Sequence, residues 1–251
     1  MTDFSYQLYS SRNFPPLGDT LKMLAGLGYK QVEGYGGLYA NLEKLDELKG
    51  QLAETGLHMA SGHVGIDMLE DESGRVLEIA KALDMKAIFC PAVGPDERVK
   101  SLAGWKEFGQ RLAAAAKPYV AAGLEFGWHN HAFEFVTLED GSVPMTHILE
   151  QAPDLSWEMD VAWVVKGDHD PLEWIAKYGD RITAAHVKDI APAGECADED
   201  GWADVGTGTL DWPGIMAALR NTKAKIFVME HDNPNDHARF AKRSIEAAQK
   251  L

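Results

Sequence analysis

Short apolar runs rich in β-branched and aromatic residues alternate along this chain with longer stretches whose apolar positions recur every three or four residues. Eight of the short runs read as strands: "SYQLYS" (5–10), "QVEGYG" (31–36), "LHMASGHV" (57–64), "KAIFCPA" (86–92), "LEFGWHNH" (124–131), "LSWEMDV" (155–161), "TAAHVKD" (183–189) and "KIFVMEHD" (225–232). The stretches between them read as helices. One covers 15–28 and closes on Gly28; the next covers 41–56, opens on Asn41 and closes on Gly56, all residue types that cap helices. The longest, 103–123, contains Pro118, which is expected to kink or break it. Asp170 followed by Pro171 opens another, "DWPGIMAALRN" repeats that start, and the chain closes on "DHARFAKRSIEAAQKL".

Eight strand–helix alternations in 251 residues predict an α/β fold, a closed (β/α)8 TIM barrel forming a single domain over 1–251. A doubly wound open sheet would carry a GxGxxG turn after an early strand. The nearest stretch, "GYGGLYAN" at 34–41, has the wrong spacing. The stretch 190–210, acidic and Gly-rich, is expected to be a long loop after the seventh strand, functional or else merely mobile.

Composition narrows the classes. With 45% apolar and 25% charged residues, the chain reads as an ordinary globular protein able to bury a core without staples. Its net charge of −15 and the lack of any basic run longer than "AKR" (241–243) argue against a nucleic-acid partner. Cys90 lies in an apolar run and Cys196 in a polar one; neither belongs to a CxxC pair, so no structural zinc knuckle is expected. "MTDFSYQLYSS" lacks the basic and apolar segments of a signal peptide, and no 18-residue apolar stretch exists. The expected setting is the cytoplasm, away from membranes.

In this barrel class the active site forms at the carboxyl ends of the strands. Asp160 in the sixth run, His186 in the seventh and Glu230 in the eighth sit four or five residues in, so they should share one layer. Each alone reads as a hydrogen-bonded core group. Three in one layer on neighbouring strands read as a site, since each is costly to bury otherwise. From the fifth run, His129 has the matching depth and shares a side with Gly127 and His131, while Glu134 lies just beyond on the loop. Carboxylates with imidazole suit one divalent cation: Mn2+, Zn2+, Co2+ or Fe2+, and Mg2+ less well.

"HNHAFEF", "WEMDVAWVVKGDHDPLEWIAKYGDRITAAHVKD", "DVGTGTLDW" and "VMEHD" resemble the sugar phosphate isomerase/epimerase group of the xylose isomerase-like TIM barrels, whose members include ketose 3-epimerases, hydroxypyruvate isomerase and inosose dehydratase. The resemblance implies one cation held by Glu134, Asp160, His186 and Glu230, with Glu134 and Glu230 as the acid/base pair. It implies substrate contact for His63, at the end of the third run. A His that many members carry three residues after the sixth-strand Asp is Trp163 here, which implies a different pocket wall. His129 and His131 are expected to contact substrate or to stand behind the ligands, Trp163 to contact substrate, and Lys188 to bind a substrate oxyanion or phosphate or else to pair with Glu158. Trp128 and Trp157 are candidates for the pocket wall, Trp157 more readily for the core. Asp204 is placed equally at the mouth or in a loop turn. His58, His147, His169 and His237 read as surface or packing residues, and His231 as pointing into the barrel–helix layer.

The implied chemistry is proton transfer next to a carbonyl, through a metal-stabilised enediolate, on a small sugar or polyol-ketone. Isomerase or epimerase is the expected class, and a dehydratase on an inosose or keto-sugar the alternative. A non-catalytic sugar-binding barrel and an endonuclease-like enzyme are the other readings. The resemblance also implies a homodimer or homotetramer.

Overall fold

The computed structural model describes residues 3–39, 44–71, 73–98 and 100–251. Eight parallel strands close into a barrel: β1 (Phe4–Gln7), β2 (Gln31–Gly34), β3 (His58–His63), β4 (Ala87–Cys90), β5 (Glu125–His129), β6 (Ser156–Asp160), β7 (Ile182–Val187) and β10 (Ile226–Met229), with β10 between β7 and β1. Two short strands, β8 (Asp189–Ile190) and β9 (Trp202–Ala203), form a separate antiparallel ribbon. The predicted eight runs are thus the eight barrel strands.

Alternation along the strands divides the side chains into two sets. Outward positions such as Tyr6, Val32, Met59, Ile88, Phe126, Trp157, Met159, Val187 and Met229 are buried in one continuous apolar layer with the surrounding helices. Trp157 packs edge-on against Trp174 and Tyr178, as its core reading predicts. His231, fully buried, meets the ring of Phe240 in the helical layer. Inside the barrel a small separate cluster of Ala87, Phe89 and Ala184 packs with Ile226. The interior positions closer to the carboxyl ends of the strands are polar.

Helices α1 (Leu17–Leu27) and α2 (Leu45–Thr55) end on Gly28 and Gly56, both in the left-handed region. The N-cap expected at Asn41 lies outside the described residues. Pro118, expected to kink or break its helix, does not break α5 (Leu102–Ala121), which continues through it to its end. The proline lies in the last turn, so only one carbonyl of the preceding turn loses its donor. Helices α3 (Ile66–Asp71) and α4 (Ser73–Ala82) precede it, and α6 (Pro144–Gln151) follows β5. Beyond β6 come α7 (Val161–Lys166) and α8 (Pro171–Tyr178), then α9 (Trp212–Leu219) and α10 (His237–Ala248). Asp170, Asp211 and Asp236 cap α8, α9 and α10 through their side chains. Among the described residues, no helix is long and apolar enough to cross a membrane.

The stretch 190–210 is more ordered than its composition predicts. Asp189 organises it, because its carboxylate accepts from the backbone N–H groups of Ile190, Gly206, Gly208 and Leu210. Asp204, placed at the mouth or in a turn from sequence, is buried in ion pairs with Arg239 and Arg243 of α10. The loop is thereby tied to the last helix, and β9 carries Trp202 to the barrel mouth.

Candidate metal and substrate site

Strand register aligns the polar layer. Asp160 is paired with His186, His186 with Val228, and His129 with Glu158. Glu230 immediately follows Met229, the partner of Val187. The nearly fully buried ligand atoms of His129, Asp160, His186 and Glu230 all lie within 4.8 Å of one another. Directly adjoining it, His63, His129, Glu158 and His186 make a second group of the same kind. The two share His129 and His186.

Asp160 has two duties. Its Oδ1 accepts from Trp163 N (2.9 Å) and so caps α7, while Oδ2 has no hydrogen-bond partner. The Lys188 ammonium lies 3.6 Å from Oδ2. Burial pushes the Asp160 carboxyl up to about 6, against the pull of Lys188 and His186. Lys188 is fully buried, with Nζ 2.7 Å from Asp232 Oδ1 and 3.2 Å from Glu230 Oε2. Burial alone would lower its pKa, but Asp232, Glu230 and Asp160 outweigh that and raise it. Its ammonium also sits 4.2 Å from the Trp202 ring centre and 5.1 Å from that of Trp163. Burial likewise opposes the Glu230 anion, yet Lys188 and His186 hold its carboxyl well below the usual range. Lys188 does not meet Glu158, the partner considered from sequence.

The imidazoles are wedged between carboxylates. His186 Nδ1 is 2.9 Å from Glu230 Oε2, and its Nε2 is 2.8 Å from Glu33 Oε1. His63 Nε2 and His129 Nδ1 are 2.6 and 3.1 Å from Glu158 Oε2. Burial pushes His129 down to about 3. It would do the same to His186, but Glu158, Glu230 and Glu33 raise that ring well above its ordinary value.

Glu134 stands apart from both groups. It is fully buried on the turn after β5, where Oε1 accepts from Trp128 Nε1 and Oε2 from His131 N, both at 2.9 Å. Trp128 is accordingly a core residue against Phe108. The structure therefore brings together three of the four expected ligands, with His129 where Glu134 was expected. Glu33 and Asn130 are residues of this cluster that sequence reasoning left unassigned, and Glu158 was considered only as a partner for Lys188. Asn130 accepts from Asp160 N and Trp157 Nε1 and donates to Asp160 O, clamping the end of β5 to that of β6. Period-two alternation places Glu158 on the side of Asp160 and was the available signal for it. Glu33 had none, because its run reads as an ordinary strand.

A cavity of about 480 Å3 opens above the layer, lined by His63, His129, His131, Glu230, Asp200 and Asp232, with Tyr9, Arg12 and Tyr35 on its β1–β2 side. His131 leans on Trp163, whose indole meets Trp202 edge-on. A larger cavity, about 930 Å3, lies at the amino-terminal end of the barrel among Ala87, Glu125, Ser156 and Ile226. Neither ligand group reaches it. Of the remaining histidines, His58 is exposed, His147 is bonded to Ser142, His169 to the Phe135 carbonyl, and His237 stacks on Phe14.

The donor set fits a divalent cation. Two imidazoles and two carboxylates converge, and the buried Asp160 Oδ2 lacks a hydrogen-bond partner.

A sequence model for the family described as the xylose isomerase-like TIM barrel matches residues 21–251. No curated protein matches the chain. Among solved structures, a sugar phosphate isomerase/epimerase from Parabacteroides distasonis superposes with a TM-score of 0.83 at 21% identity, covering 98% of this chain and 93% of that one. A probable 3-DHS dehydratase from Bacillus anthracis gives 0.77 at 14% identity, over 99% of both chains. A 3-keto-D-glucoside 4-epimerase from E. coli gives 0.72 at 16%, over 100% of both. At these identities the likeness is one of fold.

Proposed function

Since the chain belongs to the xylose isomerase-like TIM barrel family, we propose that it is a divalent-metal-dependent isomerase or epimerase moving a proton next to the carbonyl of a small sugar or polyol-ketone. What supports this most is the convergence of His129, Asp160, His186 and Glu230 beside a cavity. These four are the proposed ligands. His129 takes the place expected for Glu134, whose carboxylate is engaged by Trp128 and His131. Mn2+, Zn2+, Co2+ or Fe2+ suits this mixed nitrogen and oxygen set better than Mg2+.

When bound, the ion supplies Lewis-acid polarisation of a carbonyl and stabilises the negative charge that develops as the neighbouring carbon loses its proton. The chain's own groups do the rest. Glu230 lines the cavity as an anion and is the proposed base. Lys188 balances the charge of Glu230 and Asp232 from behind the cavity rather than binding substrate directly. His63 and His131 line the same space and are the proposed groups that orient hydroxyls or return the proton. Trp163 and Trp202 close the side where Lys188 lies. A dehydratase would begin with the same proton abstraction and then expel a hydroxyl, so both readings share the first step.

The test is elemental analysis of the purified protein beside Asp160→Ala. About one equivalent of divalent metal is expected in the first and a marked loss in the second, with the barrel still folded. With metal present, a ketose or inosose substrate should exchange its α-proton in deuterated water, and Glu230→Gln should abolish that exchange. No metal in either protein after reloading with Mn2+ or Zn2+ would overturn the proposal.

A further inference from the structure

Beneath the proposed ligands lie two buried carboxylates, Glu33 on β2 and Glu158 on β6, both fully inaccessible. Among the described residues, no lysine or arginine is seen to pair with either. Glu33 is gripped from three other strands: Gln7 Nε2 donates to its Oε1 at 2.8 Å, Ser61 Oγ to its Oε2 at 2.5 Å, and His186 Nε2 lies 2.8 Å from Oε1. Glu158 Oε2 faces two imidazoles, His63 Nε2 and His129 Nδ1.

We propose that Glu33 and Glu158 are positioning residues that set the tautomers of His186 and His129, leaving His186 Nδ1 and His129 Nε2 as the lone-pair nitrogens of the metal site. This rests on the ligand assignment above. An ionised carboxylate only accepts hydrogen bonds, so an imidazole nitrogen held at 2.8–3.1 Å from one carries the hydrogen. A ring that ligates a cation is neutral, with one N–H and its lone pair on the other nitrogen. For His186 that other nitrogen is Nδ1, 2.9 Å from Glu230 Oε2; both atoms belong to proposed ligands, so a bound cation would take the place of the hydrogen they share without it. For His129, which borders the cavity, it is Nε2. A carboxylate behind each metal-bound imidazole fixes the ring's orientation and increases its basicity. Gln7 and Ser61 hold Glu33 in turn, so β1, β2 and β3, which contribute none of the proposed ligands, help to aim the ring on β7.

The competing arrangement is a second cation below the first, held by His63, His129, Glu158 and His186, since Glu158 Oε1 also lacks a hydrogen-bond partner. We favour the positioning role because all three imidazole nitrogens that face these carboxylates lie within 3.1 Å of a carboxylate oxygen that can accept their hydrogen.

Zinc-loaded full-length protein tests this. Nitrogen-15 NMR of the wild-type histidines should show hydrogen on His186 Nε2 and on His129 Nδ1, an outcome independent of whether any variant folds. Zinc affinity, measured by competition with a chromophoric chelator, should fall about 10- to 100-fold in Glu33→Ala and in Glu158→Ala. Glu33→Gln, whose amide oxygen still accepts, should keep most of the affinity. The opposite tautomers, unchanged affinity in folded Glu33→Ala, or two zinc ions in wild type of which Glu158→Ala loses one, would each overturn the inference. A wild type that binds no zinc at all would instead remove the metal assignment, and this inference with it.

Discussion

Lys188 shows what one residue type does at one depth. A fully buried ammonium survives among Asp160, Glu230 and Asp232 because three carboxylates repay its desolvation. Replacing it with methionine keeps the volume and strands those charges. Lys188→Met should therefore lose about 3–5 kcal/mol of stability in urea denaturation of metal-free protein. Added divalent metal should restore part of it, because an ion that binds only the folded state stabilises it by mass action. A stability within error of wild type would mean that the three carboxylates hold protons and need no lysine. Glu134 carries the contrasting lesson. A carboxylate beside the motif His-Asn-His looks free for ligation, yet the indole N–H of Trp128 and the amide of His131 claim both its oxygens. Nothing in the spacing of residues shows that a tryptophan six positions back will turn its nitrogen toward that carboxylate.

At the scale of elements, the site depends on how ends are tied. Gly127 is required where β5 passes β6 and β4, because a Cβ there would lie 2.5 Å from Ser156 O and 2.7 Å from the Phe89 ring. Asn130 then locks the two strand ends, and Asp160 caps α7 with Oδ1 while its second oxygen has no hydrogen-bond partner. The stretch 190–210 is held by Asp189, which satisfies four backbone N–H groups at once. Asp189→Ala leaves those donors without acceptors and should destabilise the protein by about 3 kcal/mol. It should also expose the segment between β8 and β9 to limited proteolysis. Wild-type resistance to cleavage in that variant would show that the Arg239 and Arg243 ion pairs suffice to hold the loop.

Over the whole molecule, charge decides which partners approach. With a net charge of −15, the protein should repel polyanions, so duplex DNA should bind weakly and without the steep salt dependence of phosphate contacts. An electrophoretic titration across salt concentrations checks this. Tight, salt-sensitive binding would favour the endonuclease-like reading over the sugar one. A small neutral ketone meets no such barrier, and the cavity of about 480 Å3 is of a size for one such molecule.

The barrel was legible in the sequence because strand–helix alternation is a local, repeated pattern. Asp160, His186 and Glu230 were legible with it, since depth along a strand converts directly into a layer once the barrel is assumed. His129 was placed at that depth by the same count. Only the tertiary structure shows that His129 joins the cluster of donor atoms while Glu134 is engaged elsewhere, because that depends on hydrogen bonds made across the turn and not on position along the strand. Glu33 was also beyond reach of the sequence. Its carboxylate meets His186 across the barrel interior, from 153 residues away in the chain. Closure of the sheet brings them together, and no local pattern of residues records it.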